Sequence, residues 1–185
     1  HKDGINKAQK VIYDNICYKI FENFIKSNTR LNHSNFRVSL FKADKKLIFK
    51  RDFYYLPQYR TILENKARHQ TKQEKKLCGV KFLPGEGAVG VCFQIGTLIF
   101  FETSTYNVNN PQKYYREQMA KTSIPEFKLK KTNTKSSYLI CCPIKFFGSD
   151  DLFGVIVVDS TVKQNIIKEE FRKIEEVLDY YSVFF

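Results

Sequence analysis

The chain has 185 residues, of which 43% are hydrophobic and 15% aromatic, from 17 Phe and 11 Tyr with no Trp; this supports one core of ordinary size and excludes global disorder. No stretch reaches the roughly 20 consecutive apolar residues of a membrane-spanning helix, and no charged-then-apolar leader opens the sequence, so the expectation is a soluble domain. The formal net charge of +12 raises nucleic-acid binding, because clustered Lys and Arg gain free energy by releasing phosphate counterions.

Apolar residues at Ile5, Ala8, Ile12, Ile16, Ile20 and Phe24 predict an N-terminal helix over 1–27. Val11, Tyr18, Phe21 and Ile25 widen its apolar face, so two surfaces are needed to cover it, a sheet and a partner helix. Phe36 to Phe41 and Lys46 to Phe49 read as two strands of a hairpin turning through Ala43-Asp44-Lys45. From about Pro57 to Lys76 the chain is polar and basic and reads as a mobile excursion with a short helix. Leu77 to Leu83 reads as a strand ending in Pro84-Gly85-Glu86-Gly87-Ala88-Val89-Gly90, where glycines permit a tight turn into a short helix that Gly96 stops. Val91, Cys92 and Ile95 are expected to face inward. Thr97 to Glu102 reads as a strand, and Asn110-Pro111 starts a helix through Met119.

Ser137 to Phe146 and Gly154 to Asp159 are the strongest strand patterns, joined by Gly148-Ser149-Asp150-Asp151. A C-terminal helix over 165–185 carries Ile167, Phe171, Ile174, Leu178, Tyr181 and Phe185 in steps of four and three, the spacing of a two-helix seam. Helices collected on an antiparallel sheet form an α+β solution to this order, with the sheet and pocket-side elements over 36–161. Five cysteines, Cys17, Cys78, Cys92, Cys141 and Cys142, form an odd set without CxxC units, which reads as buried reduced thiols in a cytoplasmic domain. The basic runs from Arg60 to Lys81 and from Lys121 to Lys135 read as solvated loops.

Three segments, flanked by the terminal helices, resemble the GAF family. The Pro84 to Gly90 turn resembles its glycine-rich lead into the helix beside the ligand pocket. Ser137 to Ile144, with Cys142-Pro143-Ile144, resembles its penultimate strand, and Phe153 to Ser160 its last strand. The resemblance implies a single GAF-like, PAS-related domain over 1–185, read as a piece of a larger protein, with both terminal helices on one face of the sheet and a cavity on the other. Strand alternation then sends Leu139, Cys141, Val155, Val157 and Asp159 to the cavity, and Tyr138, Ile140, Cys142, Ile156 and Val158 to the helices.

The expected pocket comprises Phe82, Gly87, Val91, Phe100, Leu139, Cys141, Val157 and Asp159. Its floor is apolar apart from a thiol and Asp159, which suits a small apolar or amphipathic ligand and no cofactor or metal. GAF-like free methionine sulfoxide reductases combine a reactive cysteine with carboxylates on these strands. Leu139 and Val157 stand at the matching carboxylate positions and only Asp159 is retained, so the expectation is a non-catalytic sensory or regulatory domain. A dimerisation module without ligand is the alternative, with Ile12, Ile16, Ile20, Ile167, Phe171, Ile174, Leu178 and Tyr181 as the seam of a homodimer. No membrane contact is expected. Nucleic-acid binding through Lys66 to Lys76 and Lys128 to Lys135 ranks last, because those runs hold no recognition helix or stacking-aromatic motif.

Overall fold

The computed structural model describes residues 2–26, 28, 31–49, 57–71, 77, 79–132, 135–163 and 168–185. Helix α1 (Lys2–Ile20) continues through a π-helical segment, Phe21–Lys26. The remaining helices are α2 (Gly87–Ile95), α3 (Pro111–Thr122), α4 (Glu126–Lys131) and α5 (Arg172–Tyr181). Strands β1 (Phe36–Phe49), β2 (Pro57–Gln70), β3 (Ile99–Glu102), β4 (Tyr138–Lys145) and β5 (Leu152–Ser160) form one sheet in the order β2-β1-β5-β4-β3. Every neighbouring pair is antiparallel.

Period-2 alternation along the central strands divides the molecule into two cores. On one face, Phe36, Val38 and Leu40 of β1, Tyr138, Ile140 and Cys142 of β4 and Ile156 and Val158 of β5 pack with Ile16, Ile20, Phe24, Phe171, Ile174 and Leu178. Helices α1 and α5 contact each other over this face, as the wide apolar stripe of α1 requires. On the other, Phe41, Leu63, Cys141, Val155 and Val157 pack under Phe82, Val89, Cys92, Tyr114, Ile124 and Leu129. Burying a large apolar side chain contributes about 1.5–3 kcal/mol, so both layers stabilise the sheet.

The glycine turn is a fold element. A Cβ on Gly90 would stand 2.0 Å from the Leu83 carbonyl oxygen, so only glycine lets α2 start against the preceding segment. The Glu86 carboxylate accepts from Leu83 N at 3.0 Å and pairs with Lys128 Nζ at 2.5 Å, tying this turn to α4. Gly96, at φ +73°, ends α2 in the left-handed conformation that favours glycine.

Several expected elements differ. Residues 36–49 form one continuous strand instead of a hairpin, and its partner is the basic segment that the sequence assigned to an excursion. That segment is held by charge: Glu64 pairs with Lys46 (2.5 Å), Lys81 (2.7 Å) and Lys66 (2.9 Å), and Lys66 also meets Asp44 (3.1 Å). A register shift between Leu40 and Phe41 inserts an extra residue in β2, and Asn65 Nδ2 donates to the Leu40 and Ala67 carbonyls across it. Leu77 to Leu83 contributes one bridge, Phe82 to Leu63, instead of a strand. Ile95 is 57% exposed and Val91 half-buried, so of that expected trio Cys92 alone is fully inward. Helix α4 follows Pro125 within a stretch read as loop. Among the described residues no helix is long and apolar enough to cross a membrane.

Candidate functional site

The face of the sheet away from α1 and α5 carries a cleft of about 120 Å³. Arg37, Ser39 and Phe41 enter it from β1, Arg68 from β2, Leu139 from β4, and Val157 and Asp159 from β5; Phe82, Val89, Lys131, Thr132 and Ser136 close its sides. The β1/β5 register sets Arg37 directly opposite Asp159 and Ser39 opposite Val157, and cross-strand partners on one face interact side by side.

Arg37 and Asp159 form a buried pair. Arg37 Nε donates to Asp159 Oδ1 at 2.9 Å, and Nη2 bonds both Asp159 Oδ1 and Ser136 Oγ, the latter at 2.9 Å. Ser136 Oγ also donates to Asp159 Oδ1 at 2.8 Å. Buried charges persist only when paired and hydrogen-bonded, and here both conditions are met. Beside them Arg68 Nε donates to Ser39 Oγ at 3.0 Å.

The Ser136 segment is itself anchored. Its carbonyl accepts from Tyr114 Oη (2.9 Å) and Gln118 Nε2 (2.8 Å), both on α3. Lys135 Nζ lies 5.6 Å from the Tyr115 ring centre and 5.9 Å from that of Tyr106, and it donates to the Leu129 and Thr132 carbonyls. Burial lowers the Lys135 pKa, and the aromatic faces and carbonyls offset part of the desolvation.

Of the expected pocket residues, the structure gathers Phe82, Leu139, Val157 and Asp159 at the cleft. Gly87 lies behind Phe82, whose ring would be 3.0 Å from a Cβ at that position. Cys141 is fully buried beneath the floor, and Val91 does not line the cleft. Phe100 belongs to the opposite face: it sits opposite Ile140 and stacks on Tyr138 and Phe171 at 4.7 and 6.1 Å. The floor is therefore not apolar apart from Asp159. Arg37, Ser39, Arg68 and Ser136 were missed, although Arg37 and Ser39 alternate with Phe36, Val38 and Leu40, and that alternation pointed them to this side.

Burial raises the thiol pKa values of Cys141 and Cys142, and that of Cys92 to about 12; Cys78 lies outside the described residues. The described seam residues are packed within the chain. Ile16, Ile20 and Ile174 are fully buried, Phe171 and Leu178 nearly so, and Ile12 and Tyr181 pack at the edge of the same core. Ile167 lies outside the described residues.

No family model and no curated protein matches the chain. Solved structures do. The type II free methionine-R-sulfoxide reductase of Thermoplasma acidophilum aligns over 96% of this chain and 91% of its own, with TM-score 0.54 and 13% identity. The blue-light absorbing form of the Thermosynechococcus elongatus PixJ GAF domain aligns over 96% and 84%, with TM-score 0.54 and 12% identity. The GAF domain region of a Geobacter sulfurreducens PCA protein aligns over 99% of each chain, with TM-score 0.53 and 14% identity. The expectation that this architecture marks a non-catalytic domain is overturned here, because the same architecture is shared with a reductase over nearly its full length. With five antiparallel strands, paired terminal helices on one face and a cleft on the other, the chain has a GAF-like fold.

Proposed function

We propose that the chain is a sensory or regulatory domain that holds a small ligand in the cleft over β1, β4 and β5. The observation that carries this reading is the buried Arg37–Asp159–Ser136 cluster open to a cleft walled by Phe41, Phe82, Val89, Leu139 and Val157. An apolar cavity with a few convergent polar groups is the ordinary form of a small-molecule site. At about 120 Å³ the space suits a small metabolite. The GAF domains among the structural neighbours support the regulatory part of the reading.

The test is a thermal-shift screen of small metabolites against the 185-residue chain and a Leu139→Trp variant, whose indole fills the cleft. A ligand at 100 times its Kd adds about 2.7 kcal/mol, which corresponds to a rise of roughly 5–10 °C for a domain of this size. Compounds that stabilise the wild type and not Leu139→Trp support the reading. A screen without such compounds, or with equal shifts in both proteins, refutes it.

A further inference from the structure

Resting on the cleft as a ligand site, we infer that its ligand is a small monocarboxylate, with the head at Arg37 and a short apolar tail against Phe41, Phe82, Leu139 and Val157. Arg37 is only 9% exposed, yet it lines the cleft. Its Nε and Nη2 are engaged by Asp159 and Ser136, whereas Nη1 makes no hydrogen bond among the described residues. A guanidinium has five N–H donors, and the two on Nη1 remain open to a ligand in the cleft that Arg37 lines. Both Asp159 and Ser136 hold the fork in place, so Nη1 is presented with little conformational freedom left to lose on binding.

The charge around it selects the head group. Among the described lining residues the one carboxylate, Asp159, is answered by Arg37, and Lys131 adds a further positive charge. Lys131 Nζ stands 5.8 Å from the Phe127 ring centre at the cleft rim. A cationic ligand meets the like charges of Arg37 and Lys131, whereas a carboxylate gains charge-assisted bonds. Size and wall select the tail. An apolar cavity of about 150 Å³ accommodates the six carbons of benzene, so about 120 Å³ suits the four-carbon tail of pentanoate, with its carboxylate held at Arg37. A second charge at the far end of the ligand would rest on the apolar wall, where an ion without a partner is strongly disfavoured. Asp159 Oδ2 makes no hydrogen bond among the described residues and is an acceptor close to the fork, so the carboxylate binds on the Nη1 side.

The experiment is an NMR titration of the 185-residue chain with pentanoate, its neutral isostere pentanamide, and norvaline, which adds an ammonium to the same skeleton. Pentanoate is expected to bind at least ~10-fold more tightly than pentanamide, the difference expected of one hydrogen bond between charged groups. Arg37→Lys keeps a cation for Asp159 and removes the fork; it should weaken pentanoate ~10-fold or more and leave pentanamide within about threefold. Should that variant fail to fold, Lys131→Gln at the rim should still weaken pentanoate about two- to fourfold, with a loss that shrinks at high salt. Pentanamide binding as well as pentanoate would overturn the carboxylate head, and norvaline binding more tightly than pentanoate would overturn the single charge in favour of a zwitterion whose ammonium meets Asp159; either result leaves the cleft a ligand site. No saturable response to any of the three overturns it as well, and the Leu139→Trp screen then decides separately whether the cleft takes another ligand.

Discussion

On the face under α1 and α5, Val38, Leu40, Ile140, Ile156 and Val158 are fully buried and meet apolar helix residues. One residue along the same strands, Arg37, Ser39 and Asp159 point the other way and form a hydrogen-bonded cluster at a cleft. The backbone is shared, so the difference comes from side-chain parity and from what covers each side. Two helices with matched apolar stripes close the first face. Short helices and connecting segments cover the second, leaving space that polar groups line. Packing accounts for the first face, and incomplete closure leaves a cleft on the second.

The sharpest test uses adjacent residues. Ile140→Asp places a carboxylate where no solvent reaches and should cost more than about 4 kcal/mol, a large part of the 5–15 kcal/mol that a domain has. Leu139→Asp, on the half-buried cleft side, should cost about 1–3 kcal/mol and keep a cooperative transition. Urea denaturation of both variants measures this, and equal losses would break the distinction between the faces.

A smaller effect tests the ion pair. Arg37→Met strands Asp159 and should cost about 3–5 kcal/mol, whereas Arg37→Met with Asp159→Leu should recover most of that loss. A double variant no more stable than the single one would show that the pair does more for the fold than answer its own desolvation.

The smallest effect lies on the β1–β2 ribbon. Lys46, Lys81 and Lys66 hold the Glu64 carboxyl well below the usual carboxylate range. A depressed folded pKa means that the stabilisation is fully present above the unfolded value of about 4.3 and is lost as pH falls through the folded one. Because the lysines are partly exposed, the contribution should be about 1 kcal/mol. Glu64→Gln should therefore lower stability at pH 7 by about that amount. The gap to wild type should close as pH falls below about 5, because the wild-type carboxylate is then losing its charge advantage. A gap independent of pH would assign the loss to packing.

Much of this architecture was legible in the chain. Alternation through Tyr138–Ile144 and Gly154–Ser160 placed Ile140 and Val158 toward the helices and Leu139 and Val157 toward the cleft. Gly96 and Pro111 marked a helix end and a helix start, because left-handed φ and a missing N–H are local properties. What failed locally was β2. Its bulge at Asn65 shifts the phase of alternation, so Leu63 faces the cleft-side core while Ala67 faces the helices, and its basic residues mimic a solvated loop until Lys66 is set beside Asp44 of β1. Phe100 was assigned to the pocket because a four-residue strand has no phase of its own; pairing with Ile140 fixed its side. Composition and periodicity thus determined the terminal helices, α2, α3 and which residues of β4 and β5 share a face. Only the tertiary structure decided that Arg37 meets Asp159, a contact across 122 positions, because register is set by pairing between distant segments and local patterns carry no record of it.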